Sequence, residues 1–196
     1  MLLSHNELME LVYRGVILGA KPEHVNAASI DITLGPKIMV EMVPMSREDY
    51  LDSGEEPPEG AGMPVDICKK ESISMFEKEM GEDGYILKPG EFILAHSQEV
   101  FYLPDNISAE YKLKSTMARN GLGHLLAGWC DAGWHGSVLT MEFHNVTQYQ
   151  NLRIRPGMKC GQMIFFHHNT VPEEASYATK GQYNHDTQVT RGKHLR

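Results

Sequence analysis

Short segments of strand character recur along this chain at intervals of roughly ten residues, and glycine- or proline-containing turns separate them. Ser29 to Leu34 (SIDITL) alternates with period two, and Gly35-Pro36 is expected to stop it. Lys37 to Val43 reads as a second strand. Gly84 to Gly90 and Glu91 to His96 read as two more around a Pro-Gly turn, and Val100 to Pro104 as another. Leu152 to Ile154 and Cys160 to His167 follow, separated by the turn Arg155-Pro156-Gly157-Met158. Many short strands with such punctuation favour a mostly β sandwich or barrel. Helix signals are few. Ser4 and Glu7 form a capping box ahead of Leu8, Leu11 and Val12, and Gly15 is expected to end that helix.

The chain's 196 residues suffice for one well-buried domain with an insertion or arm to spare. No run of about 18 apolar residues occurs, so no membrane span is expected. The N-terminus has no basic region followed by an apolar core, and a cytoplasmic protein is expected. Cys68, Cys130 and Cys160 are widely spaced and form no CxxC pair, which argues against a disulfide framework and a cysteine-rich zinc site. A net charge of -8 argues against a nucleic-acid groove. The imbalance is local: residues 41 to 91 hold fourteen acidic residues against five basic ones, so the rest of the chain is near neutral. Within that span, residues 44 to 64 are rich in Pro, Gly and acid and read as a solvated insertion.

Chemistry-bearing residues concentrate between Lys114 and Asn145. Lys114, Ser115 and Thr116 open a short helix, where backbone N–H groups, hydroxyls and a cation suit a phosphate. Ordinary capping by Ser115 is the plainer reading of the same residues. Arg119 follows about one turn later, with a fixed fork of donors that holds a carboxylate or phosphoryl oxygen. Asp131 lies in a glycine-punctuated loop, where Gly128, Gly133 and Gly136 are expected to permit positive φ and close backbone approach. Glu142 lies on a strand-like segment between Met141 and Phe143, and a glutamate turned inward there would be desolvated. Cations and hydroxyls at one end and two carboxylates further on suit a polyanionic substrate that needs proton transfer.

Taken in order, SIDITLG (29–35), KSTMARNGL (114–122), AGWCDAGWHG (127–136), MEFHN (141–145), RPGMKCGQM (155–163) and KGQY (180–183) resemble the dCTP deaminase branch of the trimeric dUTPase superfamily. The resemblance implies a single dUTPase-like domain over residues 1–196, a distorted β-barrel or jelly-roll-like (β-clip) fold. It would carry a short N-terminal helix, a second short helix near 115–120, the acidic insertion at about 44–64 and a flexible C-terminal lid at about 173–196. It also implies a homotrimer with active sites at subunit interfaces, and the tail's alternative is a disordered terminus. Zinc-type nucleobase deaminases need a Pro-Cys-x-x-Cys that this chain lacks, so deamination here would be zinc-independent, with Mg²⁺ carried by the nucleotide phosphates.

By the same resemblance Glu142 is the proton-shuttling carboxylate, with Arg119 and Ser115 organising water and the base edge. Asp131 meets the deoxyribose and, in a second reaction, orients a water toward phosphorus. Lys114, Ser115, Thr116, Arg119, Asp131, Thr140, Glu142, Tyr177, Gln182 and Tyr183 are the expected nucleotide contacts. The chain departs from pattern in the tail: Gln182 stands where these deaminases have lysine, and Asp186 close to where a glutamine is expected. Trp129 replaces an arginine typical of deaminases that stop at dUTP, and the loop looks more like that of bifunctional enzymes that proceed to dUMP. An extra residue between Gly136 and Glu142 suggests a bulge. The expected function is deamination of a deoxycytidine nucleotide. The alternatives are a dUTPase-like pyrophosphatase, against which Glu142 argues, and a non-catalytic nucleotide-binding regulator, which the altered tail favours.

Overall fold

A computed structural model gives the fold and describes residues 1–41, 65–67 and 72–193. The acidic segment at 44–64 and Cys68 lie outside the described residues. The capping box forms as the sequence predicts. The Glu7 carboxylate accepts from the backbone N and Oγ of Ser4, both at 2.8 Å, and starts α1 (His5–Tyr13). Gly15, at φ +72, follows its end. Leu8 and Leu11 turn inward and fasten the helix to the core.

The body is a curled half-barrel β-sheet. Its strands are β1 (Ile17–Leu18), β2 (Ile30–Glu41), β3 (Met75–Glu79), β4 (Tyr85–Leu87), β5 (Phe92–Tyr102), β6 (Ile107–Leu113), β7 (Leu122–His124), β8 (Trp129–Cys130), β9 (His135–Asn145), β10 (Leu152–Ile154) and β11 (Lys159–His167). Nine share one sheet, ordered β7-β9-β5-β2-β11-β6-β8, with β1 added to β5 and β3 to β2, while β4 and β10 form a separate antiparallel pair. The core is continuous along it: Ile32, Leu34 and Ile38 from β2 meet Ile93 and Phe101 from β5, Met141 and Phe143 from β9, and Phe165 from β11.

Two sequence expectations are corrected here. Gly35-Pro36 does not end a strand, because β2 runs unbroken from Ile30 to Glu41. Its pairing with β5 skips from Leu34↔Ser97 to Ile38↔Ala95, so the Gly-Pro step is a bulge inside one strand. Gly35 is required there because an added Cβ would overlap the buried His96 ring. Val100 to Pro104 is likewise no separate strand, since β5 continues from Phe92 to Tyr102. It absorbs its own bulge, with Thr140 opposite His96 but Val138 opposite Val100. The irregularity anticipated in the Gly136–Glu142 segment sits at its start: Ser137 pairs with Phe101 and His135 with Tyr102, which leaves Gly136 as the extra residue at φ +69.

Gly161 on β11 lies against the ring of Tyr111, which is buried on the neighbouring β6. A methyl group there would overlap the ring. Gly161→Ala is therefore expected to lower stability by about 1–3 kcal/mol, seen as a lower denaturant midpoint at unchanged slope. An unchanged midpoint would mean that Tyr111 swings aside at little cost.

Candidate functional site

The antiparallel register that pairs Glu142 with Leu94 places the glutamate on the face of β9 opposite the buried Met141 and Phe143. That face looks into a cleft of about 740 Å³, lined among others by Asp131, Thr140, Glu142, Tyr177 and Tyr183. Five of the residues singled out from sequence thus share one cavity. Val65, Ile67, Ile73 and Met75, on the far side of the acidic segment, add an apolar wall with Phe92 and Leu94. Nothing in the sequence pattern joins that segment to the site.

The Glu142 carboxylate is faced by a residue that the sequence reading does not single out, His124. His124 ends β7, with its side chain only 2% exposed, and its Nε2 lies 3.3 Å from Glu142 Oε2. The two atoms face each other without hydrogen-bond geometry, and Oε2 is buried with no hydrogen-bond partner. His124 Nδ1 accepts from the backbone N–H of Leu126 at 3.2 Å. A neutral ring therefore carries its proton on Nε2, toward the carboxylate. Tyr111 and Phe143 pack edge-on against the ring and fix its plane. An uncompensated carboxylate oxygen costs stability unless something arrives to use it.

Asp131 is oriented differently. The exposed Trp129 donates from Nε1 to Asp131 Oδ1 at 2.8 Å, which leaves Oδ2 for a ligand. Trp134 is buried, stacks on Phe101 at 5.2 Å, and donates from Nε1 to the Tyr183 carbonyl at 2.8 Å. That bond is one of several fastening the tail over the cleft. Ser137 Oγ donates to the Tyr183 carbonyl at 2.7 Å and accepts from the Asp186 N–H at 3.0 Å. The Thr190 N–H reaches Thr140 Oγ1 at 3.3 Å. The tail includes α3 (Tyr177–Lys180), whose Tyr177 N–H bonds the Ala132 carbonyl. Close approach is possible because Gly133, at φ +87, has no Cβ to strike Ser176 Oγ. Gln182 does not line the cleft, and its carbonyl accepts from Lys193.

The cationic group lies elsewhere. α2 (Ser115–Arg119) is a single short turn in which Ser115, Thr116 and Arg119 are exposed and outside the cleft. Lys114, not Ser115, occupies the capping position. Its ammonium is bound to Asp31 Oδ1 at 2.6 Å, and Lys159 holds the other oxygen at 3.1 Å. Burial works to raise the Asp31 carboxyl, but hydrogen bonds from Lys114, Asn26 and Lys159 outweigh it and hold the group below its ordinary value. Neither described cysteine suits nucleophilic work. Both are free and buried; burial pushes the Cys160 thiol up to about 12 and Cys130 also upward. Among the described residues, no group of three or more His, Cys, Asp or Glu is placed to hold a metal ion.

The molecule is a half-barrel sheet whose tail packs over a cleft that contains Asp131 and Glu142. Its fold matches the crystal structure of 2'-deoxycytidine 5'-triphosphate deaminase from Agrobacterium tumefaciens, with a TM-score of 0.60 at 18% identity over 84% of this chain; the match spans about half of that chain (48%). A family model described as dCTP deaminase-like matches residues 2–168. The chain is 32% identical over 197 residues to a Methanosphaerula palustris protein named dCTP deaminase, dUMP-forming, covering 99% of this chain and 96% of that one. It is 34% identical over 146 residues to a protein of the same name in Methanospirillum hungatei, covering 74% and 69% of the two chains. The chain belongs to the dCTP deaminase-like family of enzymes.

Proposed function

We propose that this enzyme deaminates dCTP and carries the product through to dUMP and pyrophosphate, without zinc. The observation that carries the reading is Glu142, which lines the same cleft as Asp131 and keeps one carboxylate oxygen buried without a hydrogen-bond partner. Hydrolytic deamination replaces the exocyclic amine at C4 by oxygen. A carboxylate there takes a proton from the attacking water and delivers it to N3. It then takes the proton of the new C4 hydroxyl and passes it to the amine, which leaves as ammonia while the C4 carbonyl forms. His124 Nε2, 3.3 Å from Glu142 Oε2, stands where it can orient the carboxylate for both transfers. In the second step Asp131, with Oδ1 tied to Trp129, orients a water for in-line attack at the α-phosphorus, and pyrophosphate leaves. The relatives' shared name, dUMP-forming, supports taking the two steps together. Mg²⁺ enters as part of the nucleotide substrate.

Ser115, Thr116 and Arg119 do not line the cleft that holds Glu142. In this reading a second copy supplies them, within a homotrimer whose sites lie between subunits. The direct test incubates the protein separately with dCTP, dCMP and dUTP plus Mg²⁺ and resolves the products by anion exchange. Ammonia with dUMP and pyrophosphate from dCTP is expected. Ammonia with dUTP alone would remove the second step, and dUTP cleavage without ammonia would leave a plain pyrophosphatase. No turnover would sink the reading.

A further inference from the structure

Trp129 is 57% exposed, so it gains little of the burial that a tryptophan ordinarily brings to a fold. Its ring lies 6.1 Å from that of Phe166, tilted against it, and lines the cleft together with Asp131. Its Nε1–H donates to Asp131 Oδ1 at 2.8 Å, the one hydrogen bond that the Asp131 carboxylate accepts among the described residues. The loop's backbone is set independently of this contact. Cys130 is buried in β8 opposite Ala109, and the Trp134 N–H donates to the Asp131 carbonyl at 3.2 Å. What the backbone leaves open is rotation of the carboxylate about its last torsion, which is broad and roughly two-fold. The indole N–H removes that freedom, because it holds Oδ1 and presents Oδ2 to the cleft.

We propose that Trp129 is the positioning residue of the phosphorus step and sets whether the product leaves as dUTP or as dUMP. This rests on the two-step reading above. In that step the water oxygen bonds to the α-phosphorus while the bond from phosphorus to the α,β-bridging oxygen breaks, and pyrophosphate departs with that oxygen. Asp131 Oδ2 takes the water's proton and returns it to solvent. The displacement is in line, so the direction in which Oδ2 presents the water governs its rate. Deamination depends on it less, because Glu142 is the proton carrier there. An untied Asp131 carboxylate therefore slows the second step more than the first, and dUTP is released before it is cleaved.

The test compares the full chain with Trp129→Phe and Trp129→His, following ammonia from Mg²⁺-dCTP and pyrophosphate from Mg²⁺-dUTP. Phenylalanine keeps a ring beside Phe166 and removes the donor. Histidine places an N–H, on Nε2, at the equivalent corner of a five-membered ring. Trp129→Phe is expected to lower kcat for pyrophosphate release about tenfold or more, as a misdirected reactant does. KM for dUTP and the rate of ammonia release should each change by about threefold or less, so that dUTP accumulates from dCTP. Trp129→His should recover most of the lost pyrophosphate rate. A packing role gives the opposite order, with phenylalanine the milder change. That order, wild-type pyrophosphate release in Trp129→Phe, or equal losses in the two reactions overturns the inference and leaves the two-step reading intact. A wild-type protein that releases no pyrophosphate from dUTP removes the second step and this inference with it.

Discussion

A one-to-one mixture of two inactive variants, Glu142→Gln and Arg119→Ala, is expected to recover about a quarter of wild-type ammonia release once their subunits have been exchanged. Each variant alone should release none at measurable rate. The expectation comes from a separation seen in the single chain. Glu142 faces the cleft under the tail, while Arg119 stands exposed on α2 outside it. If each site takes its glutamate from one subunit and its arginine from the next, a site is complete only when the first carries Arg119→Ala and the second Glu142→Gln. Each condition holds for about half of randomly mixed subunits, hence about a quarter of sites.

The alternatives give different readouts. Should Arg119 serve the site of its own chain, every subunit in the mixture remains broken and activity stays at zero. Should Arg119 take no part, Arg119→Ala is active by itself. Misfolding is a weak explanation for either loss. Arg119 is exposed, where substitutions change stability by about 0.5 kcal/mol or less, and Glu142→Gln preserves shape. Sedimentation of the wild-type protein supplies the supporting measurement, and a monomer would exclude the shared site altogether.

The sequence shows the site more plainly than its assembly. Asp131, Thr140, Glu142, Tyr177 and Tyr183 line one cleft; Asp131, Glu142 and Tyr183 lie within short motifs, and Thr140 and Tyr177 lie a few residues outside them. The strand count is less plain, because Gly-Pro punctuation has the same appearance in a turn and in a bulge. Only the register, Leu34 with Ser97 and Ile38 with Ala95, distinguishes them. The clamp on Lys114 was equally hidden: its partner Asp31 sits in the alternating segment that reads simply as a strand. The apolar wall of Val65, Ile67, Ile73 and Met75 follows an acidic segment whose composition points only to solvent. What local pattern cannot carry is contact between segments far apart in sequence, such as that of Lys114 with Asp31.

His124 is the sharper case, and its removal should be costly. His124→Phe is expected to lower kcat for deamination about 10²-fold, the lower end of what a well-placed proton-transfer group contributes, with KM for dCTP moving only a few-fold. Phenylalanine keeps the ring between Tyr111 and Phe143 but removes the Nε2 donor that faces Glu142 Oε2. His124→Gln replaces that donor without the ring and should recover most of the lost rate. A purely structural role gives the opposite order, since the aromatic contacts would then matter and phenylalanine would be the milder change. The split between kcat and KM separates the cases further: a carboxylate left free to turn still sits in a cleft that binds the nucleotide, but it meets the water and N3 less often. Wild-type kcat in His124→Phe, or equal losses in both variants, would leave Glu142 to act without this support.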